Sequence, residues 1–256
     1  MTELQVNKPK SGTKSGAMYF DSTIKDLEFF FFIINTVMVI DYIPYHAKKT
    51  LELVDGLVTE QEIAKSPEEL MQTSPGNHIK KLRRHSQEFI EMIYSRQVDN
   101  FQTYIVNLVR EILKVQPNIL HNNHPHISIA QLLEVESKDE LITEVIENKV
   151  SSLANKGFTN IDKWCKKSGI PLTVDRELNI KLKEFIAIRN IIVHNRCIVD
   201  EKYLRVIPHS KYEKGSLRKL KVNDLYDAVN IFSEVVKQTD KNSIEKYSLE
   251  VFEFNK

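Results

Sequence analysis

The sequence predicts an all-α protein, and three observations carry that reading. Seven glycines and eight prolines in 256 residues are about half the usual share, as a helix-rich chain with few tight turns would have. Apolar residues recur at spacings of three and four along most of the chain, in runs that open on Ser, Thr or Asp. No long apolar–polar alternation competes with them.

In chain order, residues 1–18 are polar, Lys-bearing and poor in bulky apolar residues, and are expected to be a disordered tail. They lack the apolar core of a secretory signal. Asp21, Ser22 and Thr23 offer caps to a first helix, with Asp26 completing an approximate capping box. Residues 27–40 are the most apolar stretch. Asn35 and Thr36 interrupt it, and it falls short of the roughly 20 residues a bilayer needs. A buried core helix is therefore expected, with no membrane partner and a cytoplasmic location. Pro44 should end that helix, because its ring disfavours a helical residue at Ile43. A second helix should follow from His46 to Leu57, with Leu51, Val54 and Leu57 on one side. Ser66-Pro67-Glu68-Glu69 starts another, and Thr73 to Asn77 breaks the chain. That break divides an N-terminal helical segment (19–78) from the main helical domain (79–256).

A single long helix is expected over 79–115, with Phe89, Met92, Ile93, Phe101, Tyr104, Ile105, Leu108 and Ile112 facing inward. Residues 117–125 read as loop. Ser128-x-x-Gln131 and Ser137-x-x-Glu140 are capping boxes, the second opening a helix with Leu141/Ile142, Val145/Ile146, Lys149/Val150 and Leu153 on its buried side. Ile161, Trp164 and Cys165 mark a short helix that Gly169-Ile-Pro171 stops. Asp175 caps the next, over 176–194, with Leu178, Leu182, Phe185, Ile186, Ile192 and Val193 inward. Asn223 begins the last, with Leu225, Val229, Phe232, Val235 and Val236 inward.

Charge and motifs exclude several function classes. With 36 Lys and Arg against 35 Asp and Glu, no net field draws the whole molecule to a polyanion, so such a partner needs a local basic patch. Two cysteines 32 apart exclude a disulfide framework and thiolate zinc sites. No Walker phosphate loop, H-E-x-x-H, G-x-S-x-G or calcium loop is present. Gly12-Thr-Lys-Ser-Gly16 has the wrong spacing for a phosphate loop and follows no strand. His121, His124 and His126 sit in a Pro- and Asn-rich stretch without a nearby Cys, Asp or Glu, so a plain polar loop is expected and no metal.

One stretch stands apart, from Ile188 through Arg189, Asn190, three β-branched residues and His194 to Asn195 and Arg196. On a helix Asn190 and His194 are i and i+4 and share a face, while Arg189 lies about 140° round the axis from His194. The arginine is always charged and presents a fork of donors suited to phosphate oxygens. The histidine exchanges a proton near neutral pH, and a place in the last helical turn favours its imidazolium. Asn190 can orient that imidazole or bind phosphate. These groups suit metal-free RNA cleavage by attack of the ribose 2′-OH on the adjacent phosphate, with no cofactor. The bland alternative pairs Arg189 with an acid and leaves His194 as a cap.

The stretch Arg189-Asn190-Ile-Ile-Val-His194 resembles the signature of the HEPN domains (higher eukaryotes and prokaryotes nucleotide-binding). The exit through Asn195, Arg196 and Asp200 to Tyr203 is similar too, and the all-α likeness extends over roughly residues 81–240. The resemblance implies a helical bundle that forms a homodimer, with the motifs of two chains in one cleft. It implies a metal-independent endoribonuclease with Arg189, Asn190 and His194 catalytic, serving as a toxin or antiviral defence effector. An antitoxin or an activating sensor protein would then be a partner. The family also has inactive members, so the alternative is a non-catalytic module that binds a nucleotide or protein.

RNA contact needs positive charge. Asn195 and Arg196 beside the motif, with Lys211, Lys214, Arg218, Lys219 and Lys221 after it, are the favoured RNA-binding residues. Tyr203 and Tyr212 are near enough to stack on bases. Lys80, Lys81, Arg83 and Arg84 form a second basic string. Asp99, Asn100 or Glu111 could orient Arg189, and spacing selects none of them.

Overall fold

The computed structural model describes residues 6–123, 137–172 and 175–254, the side chains of 121–123 excepted. These residues form nine α-helices, labelled here in chain order, and one two-residue strand pair. The helices are α1 (Lys14–Val54), α2 (Pro67–Thr73), α3 (Asn77–Arg84), α4 (Ser86–Val115) and α5 (Lys138–Lys156). The rest are α6 (Phe158–Ser168), α7 (Arg176–Asn195), α8 (Glu201–Val206) and α9 (Val222–Tyr247). The all-α class is as the sequence predicts.

Helix α4 is the hub. Its buried residues, from Ile90 to Leu113, cover an arc of roughly 200° at 100° per residue, so partners must pack on more than one side. α1, α5, α7 and α9 supply them. Phe101 of α4 stacks on Phe232 of α9 at 4.5 Å, and Phe232 meets Phe185 of α7 edge-on at 5.5 Å. Residues of α1 belong to the same hydrophobic cluster as those of α4 to α9. The N-terminal segment is thus laid onto the main bundle through α1, while Ala64, Leu70 and Ile79 are buried outside that cluster.

Caps fall where the sequence places them. The side chains of Ser66, Ser137 and Asp175 accept from the amides of Glu69, Glu140 and Leu178 at 3.2, 3.1 and 2.7 Å. Gly169 adopts φ 72° to end α6, a left-handed conformation that glycine reaches without Cβ strain.

Five expectations change. Residues 11–18 are no tail. Ser11–Gly12 pairs antiparallel with Phe252–Glu253, and Thr13 donates from both its amide and its hydroxyl to the buried Asp240 carboxylate at 2.6 Å each. The Tyr104 hydroxyl reaches the same carboxylate at 3.3 Å. A Cβ at Gly12 or Gly16 would collide with Asp240, so the glycines of this stretch serve close approach and no phosphate.

Secondly, α1 runs through Pro44 to Val54. Ile40, whose carbonyl loses its helical donor at Pro44, lies on the exposed side of the helix, where water can replace the lost bond. Thirdly, the pattern over 79–115 is two helices, broken at His85 with φ −105° and ψ 15°. Fourthly, residues 117–123 form 3-10 turns. Fifthly, Met92 and Val193 are about half exposed. The side chains of His121, His124 and His126 and the capping box of 128–131 lie outside what is described.

The join between α1 and α3 depends on Asp41, one of the few buried charges. Its carboxylate accepts from the amides of Ile79 and His78 at 2.8 and 3.3 Å and from His78 Nδ1 at 2.7 Å. It thereby caps α3 from outside that helix. Burial alone would raise its pKa, but the Ile79 amide and the His78 bonds outweigh burial and hold it below the ordinary carboxylate value. The unfolded chain then takes up that proton more readily, so this stabilisation is present at neutral pH and is lost as pH falls through the carboxylate range. Asp41→Asn should cost about 1–3 kcal/mol at pH 7, the range for a hydrogen-bonded charge. The gap in urea midpoint between variant and parent should close as the buffer is taken down to about pH 3.

Candidate functional site

Helix α7 is fixed at its start by the Asp175 cap and along its length by Leu182, Phe185, Ile186, Ile188 and Ile191, all buried. Those anchors turn Asn190 and His194 outward together. Both are exposed and line one wall of a cleft of about 500 Å3. The helix ends directly after them, Arg196 at φ 50° and Cys197 at φ 62°, so His194 stands in the last turn, near the negative end of the helix.

The other walls come from three further elements. The end of α5 contributes Lys156, and the start of α6 contributes Gly157, Phe158, Thr159 and Asn160. The α8 region supplies Asp200, Lys202 and Tyr203, and α7 itself adds Lys183. Three lysines therefore face one carboxylate, and Asp200 already accepts from the Tyr203 amide at 2.7 Å as the cap of α8. Gly157 opens α6 with no side-chain cap and no acid in the first turn. The amides of Phe158 and Thr159 have no helical acceptor, which leaves the positive end of α6 open on the cleft wall. The lining thus carries more cationic than anionic side chains.

Arg189 is set apart from the cleft lining, as its 140° offset requires. Its Nη2 pairs with Asp99 Oδ1 on α4 at 2.9 Å, and its Nη1 reaches Asn190 Oδ1 at 3.5 Å. The side chain stays 24% exposed, and that of Asp99 41%, so the pair is wet and not a sealed core bridge. Of the three acids and amides considered for orienting Arg189, Asp99 does so. Asn100 instead donates to Asp26 at 2.8 Å, and Glu111 accepts from the Ser15 amide at 2.8 Å.

The basic string after the motif divides. Lys211, Lys214, Lys219 and Lys221 are exposed, with Lys214 paired to Glu201 and Lys211 over the Tyr212 ring at 5.4 Å. Arg218 departs from its expected place and is buried. Its Nε donates to the Tyr203 hydroxyl at 3.2 Å, and Nη2 lies 3.7 Å from Glu184 and 3.6 Å from Asp224. It also stacks on Tyr212 at 5.4 Å. Tyr203 is buried with it and is not available to stack on a base. Asn195 is part-exposed and donates to the nearby Ile198 carbonyl at 2.6 Å, while Arg196 is exposed.

Neither cysteine suits nucleophilic work. Burial, then neighbouring Asp162, pushes the Cys165 thiol up to about 12, and burial with the Glu91 contact pushes Cys197 up to about 12. Both stay protonated at neutral pH. Among the described residues no three His, Cys, Asp or Glu side chains gather as a metal ion would need.

No protein-family model matches the chain, and no curated protein or solved structure matches it.

Sequence reasoning missed Lys156, Lys183 and Lys202. They are single lysines on separate elements, and only the fold converges them. Arg218→Ala, which strands Glu184 and Asp224 beside an empty site, should lower stability by about 2–4 kcal/mol, below the full cost of breaking a buried pair because both acids are part-exposed. Lys219→Ala should leave the denaturant midpoint unchanged, which equilibrium unfolding of the two variants will read.

Proposed function

We propose that this chain is a metal-independent endoribonuclease that binds an RNA phosphodiester in the cleft beside Asn190 and His194. One observation carries the reading: His194 and Asn190 share a helix face inside a cleft rimmed by Lys156, Lys183 and Lys202. The cations and the open start of α6 hold the phosphate. His194 removes the proton of the ribose 2′-OH as that oxygen attacks phosphorus. The bond from phosphorus to O5′ breaks, O5′ takes a proton, and the products are a 2′,3′-cyclic phosphate and a 5′-hydroxyl end. Asn190 holds the imidazole or a phosphate oxygen, and Arg189, released from Asp99, swings past Asn190 to offset the charge that builds on the phosphoryl oxygens. In a homodimer whose two motifs meet, the second His194 would supply the proton to O5′. The likeness to the HEPN signature supports this reading, and with it a cytoplasmic toxin or defence effector controlled by an antitoxin or sensor.

The engagement of Arg189 by Asp99 favours a second reading. A motif arginine tied to an acid suits a non-catalytic module, in which the cleft binds a nucleotide or an acidic segment of a partner and no bond is broken.

Purified protein incubated with labelled RNA in EDTA separates the two. The parent should yield fragments ending in 2′,3′-cyclic phosphate, and a folded His194→Ala variant should lose at least about a hundredfold in rate. Intact RNA with the parent, at protein levels that saturate binding, overturns the nuclease reading in favour of the module. On the nuclease reading Lys183→Ala should weaken RNA binding and lower the salt dependence of affinity by about one ion.

A further inference from the structure

The junction between α5 and α6 opens on the cleft, and a row of cations leaves it along each helix. Residues 148–172 hold five lysines against one acid, Asp162. That acid is buried and already paired with Lys166 at 2.8 Å. On α5, Lys149 and Lys156 stand two turns apart and within about 20° of each other at 100° per residue. On α6, Asn160, Lys163 and Lys167 follow one another at steps of three and four, within an arc of about 60°. Both rows begin in the cleft, because Lys156 and Asn160 line it. The side-chain amide of Asn160 also donates to the Lys156 carbonyl at 2.6 Å, which ties the two starts together.

The fold brings the rows together again away from the cleft. α5 and α6 pack on each other, and Lys149 of α5 lies over the Trp164 ring of α6 at 5.0 Å. Burial lowers the pKa of Lys149, and the charges of Lys156 and Lys167 lower it further. Lysines of both rows are thus within electrostatic reach of one another. Among the described residues no carboxylate pairs with Lys156, Lys163 or Lys167. Like charges gathered in this way repel in the empty protein, and a polyanion laid along them relieves that repulsion.

We propose that the lysine rows of α5 and α6 are a track for the RNA strand that flanks the cleft, so that the substrate is a chain of several nucleotides. The proposal rests on the reading of the cleft as an RNA site and names the part of the substrate that lies outside it. A strand cut in its middle must leave the cleft on two sides, and these rows supply one exit. From Asn160 to Lys167 the track is about 10 Å long at the helical rise, the length of about three phosphates of a stacked strand. Each ammonium meets phosphate as a point charge. Trp164 is buried beneath Lys149 and gives bases no ring to stack on, so the track holds backbone and reads no sequence.

Binding is measured on the full chain with 2′-O-methyl RNA, which lacks the attacking hydroxyl and stays intact. A dinucleotide occupies the cleft alone, and an oligomer of about twelve nucleotides reaches the track. The parent should bind the oligomer at least about tenfold more tightly. Lys163 and Lys167 are exposed, so Lys163→Ala/Lys167→Ala should keep the parent's melting curve. It should weaken the oligomer at least about fivefold and lower the salt slope by about 1.4, at about 0.7 per phosphate of a single strand. Its affinity for the dinucleotide should match the parent's. Lys80→Ala/Lys81→Ala removes the same charge from the exposed side of α3 and should leave the oligomer bound; an equal loss there would reduce the effect to net charge and overturn the track. A parent with no preference for length, or a Lys163→Ala/Lys167→Ala protein that binds the oligomer as the parent does, overturns the track and leaves the cleft reading standing. A parent that binds neither RNA removes both, and its capture of oligoglutamate would assign the rows to an acidic peptide instead.

Discussion

The burial of α4 is the constraint from which the rest follows. A 30-residue helix that hides some 200° of its circumference needs cover on several sides, and no single neighbour supplies it. α1, α5, α7 and α9 each pay the entropy of ordering only because α4 gives them an apolar surface to share. The position of the cleft is a consequence. α7 meets α4 through Phe185 and its neighbours, so its opposite face, with Asn190 and His194, turns outward, and the ends of α5 and α6 close round it. Arg189 points the other way round the axis and meets Asp99 on α4, the same helix that holds the core.

Local signals were legible wherever one or two turns of chain decide the outcome. Ser66, Ser137 and Asp175 cap their helices with their own side chains, and Gly169 and Asn223 mark an end and a start within a residue or so. The failures share a cause, which is that a distant group decides. Residues 11–18 read as tail because nothing within the stretch shows that Asp240, over two hundred residues away, will take the Thr13 donors. Pro44 reads as a stop because local sterics argue so; the helix continues because its lost bond faces solvent while Asp41, three residues earlier, is locked to α3. The break at His85 lies inside an unbroken apolar pattern, so periodicity alone could not place it.

The site divides on the same line. Spacing alone puts Asn190 and His194 on one face and Arg189 off it, and that is the geometry found. The cations were misjudged because a cluster in sequence is not a cluster in space. Within the string from Lys211 to Lys221, Arg218 is drawn inward by Tyr203, Glu184 and Asp224, and its neighbours point into solvent. The lysines that line the cleft are isolated in sequence, one each on α5, α7 and α8. A usable signal did exist for Arg218: it is the one arginine in a lysine string, and a planar fork tolerates burial among acids better than an ammonium does.

The Arg189–Asp99 pair sets the terms on which the cleft can work. A half-wet ion pair contributes about 0–1 kcal/mol, because water screens the attraction and both side chains give up freedom to hold it. A phosphate in the cleft adds a negative charge beside Asn190, whose side chain the same guanidinium already touches. The same guanidinium is therefore shared between a carboxylate on α4 and the amide that lines the cleft. Were Arg189 fully buried, breaking the pair would strand a carboxylate at several kcal/mol, and the motif would be structural. Its partial exposure, with that of Asp99, makes the pair a solvent-facing tie between α7 and α4 and not a sealed core bridge.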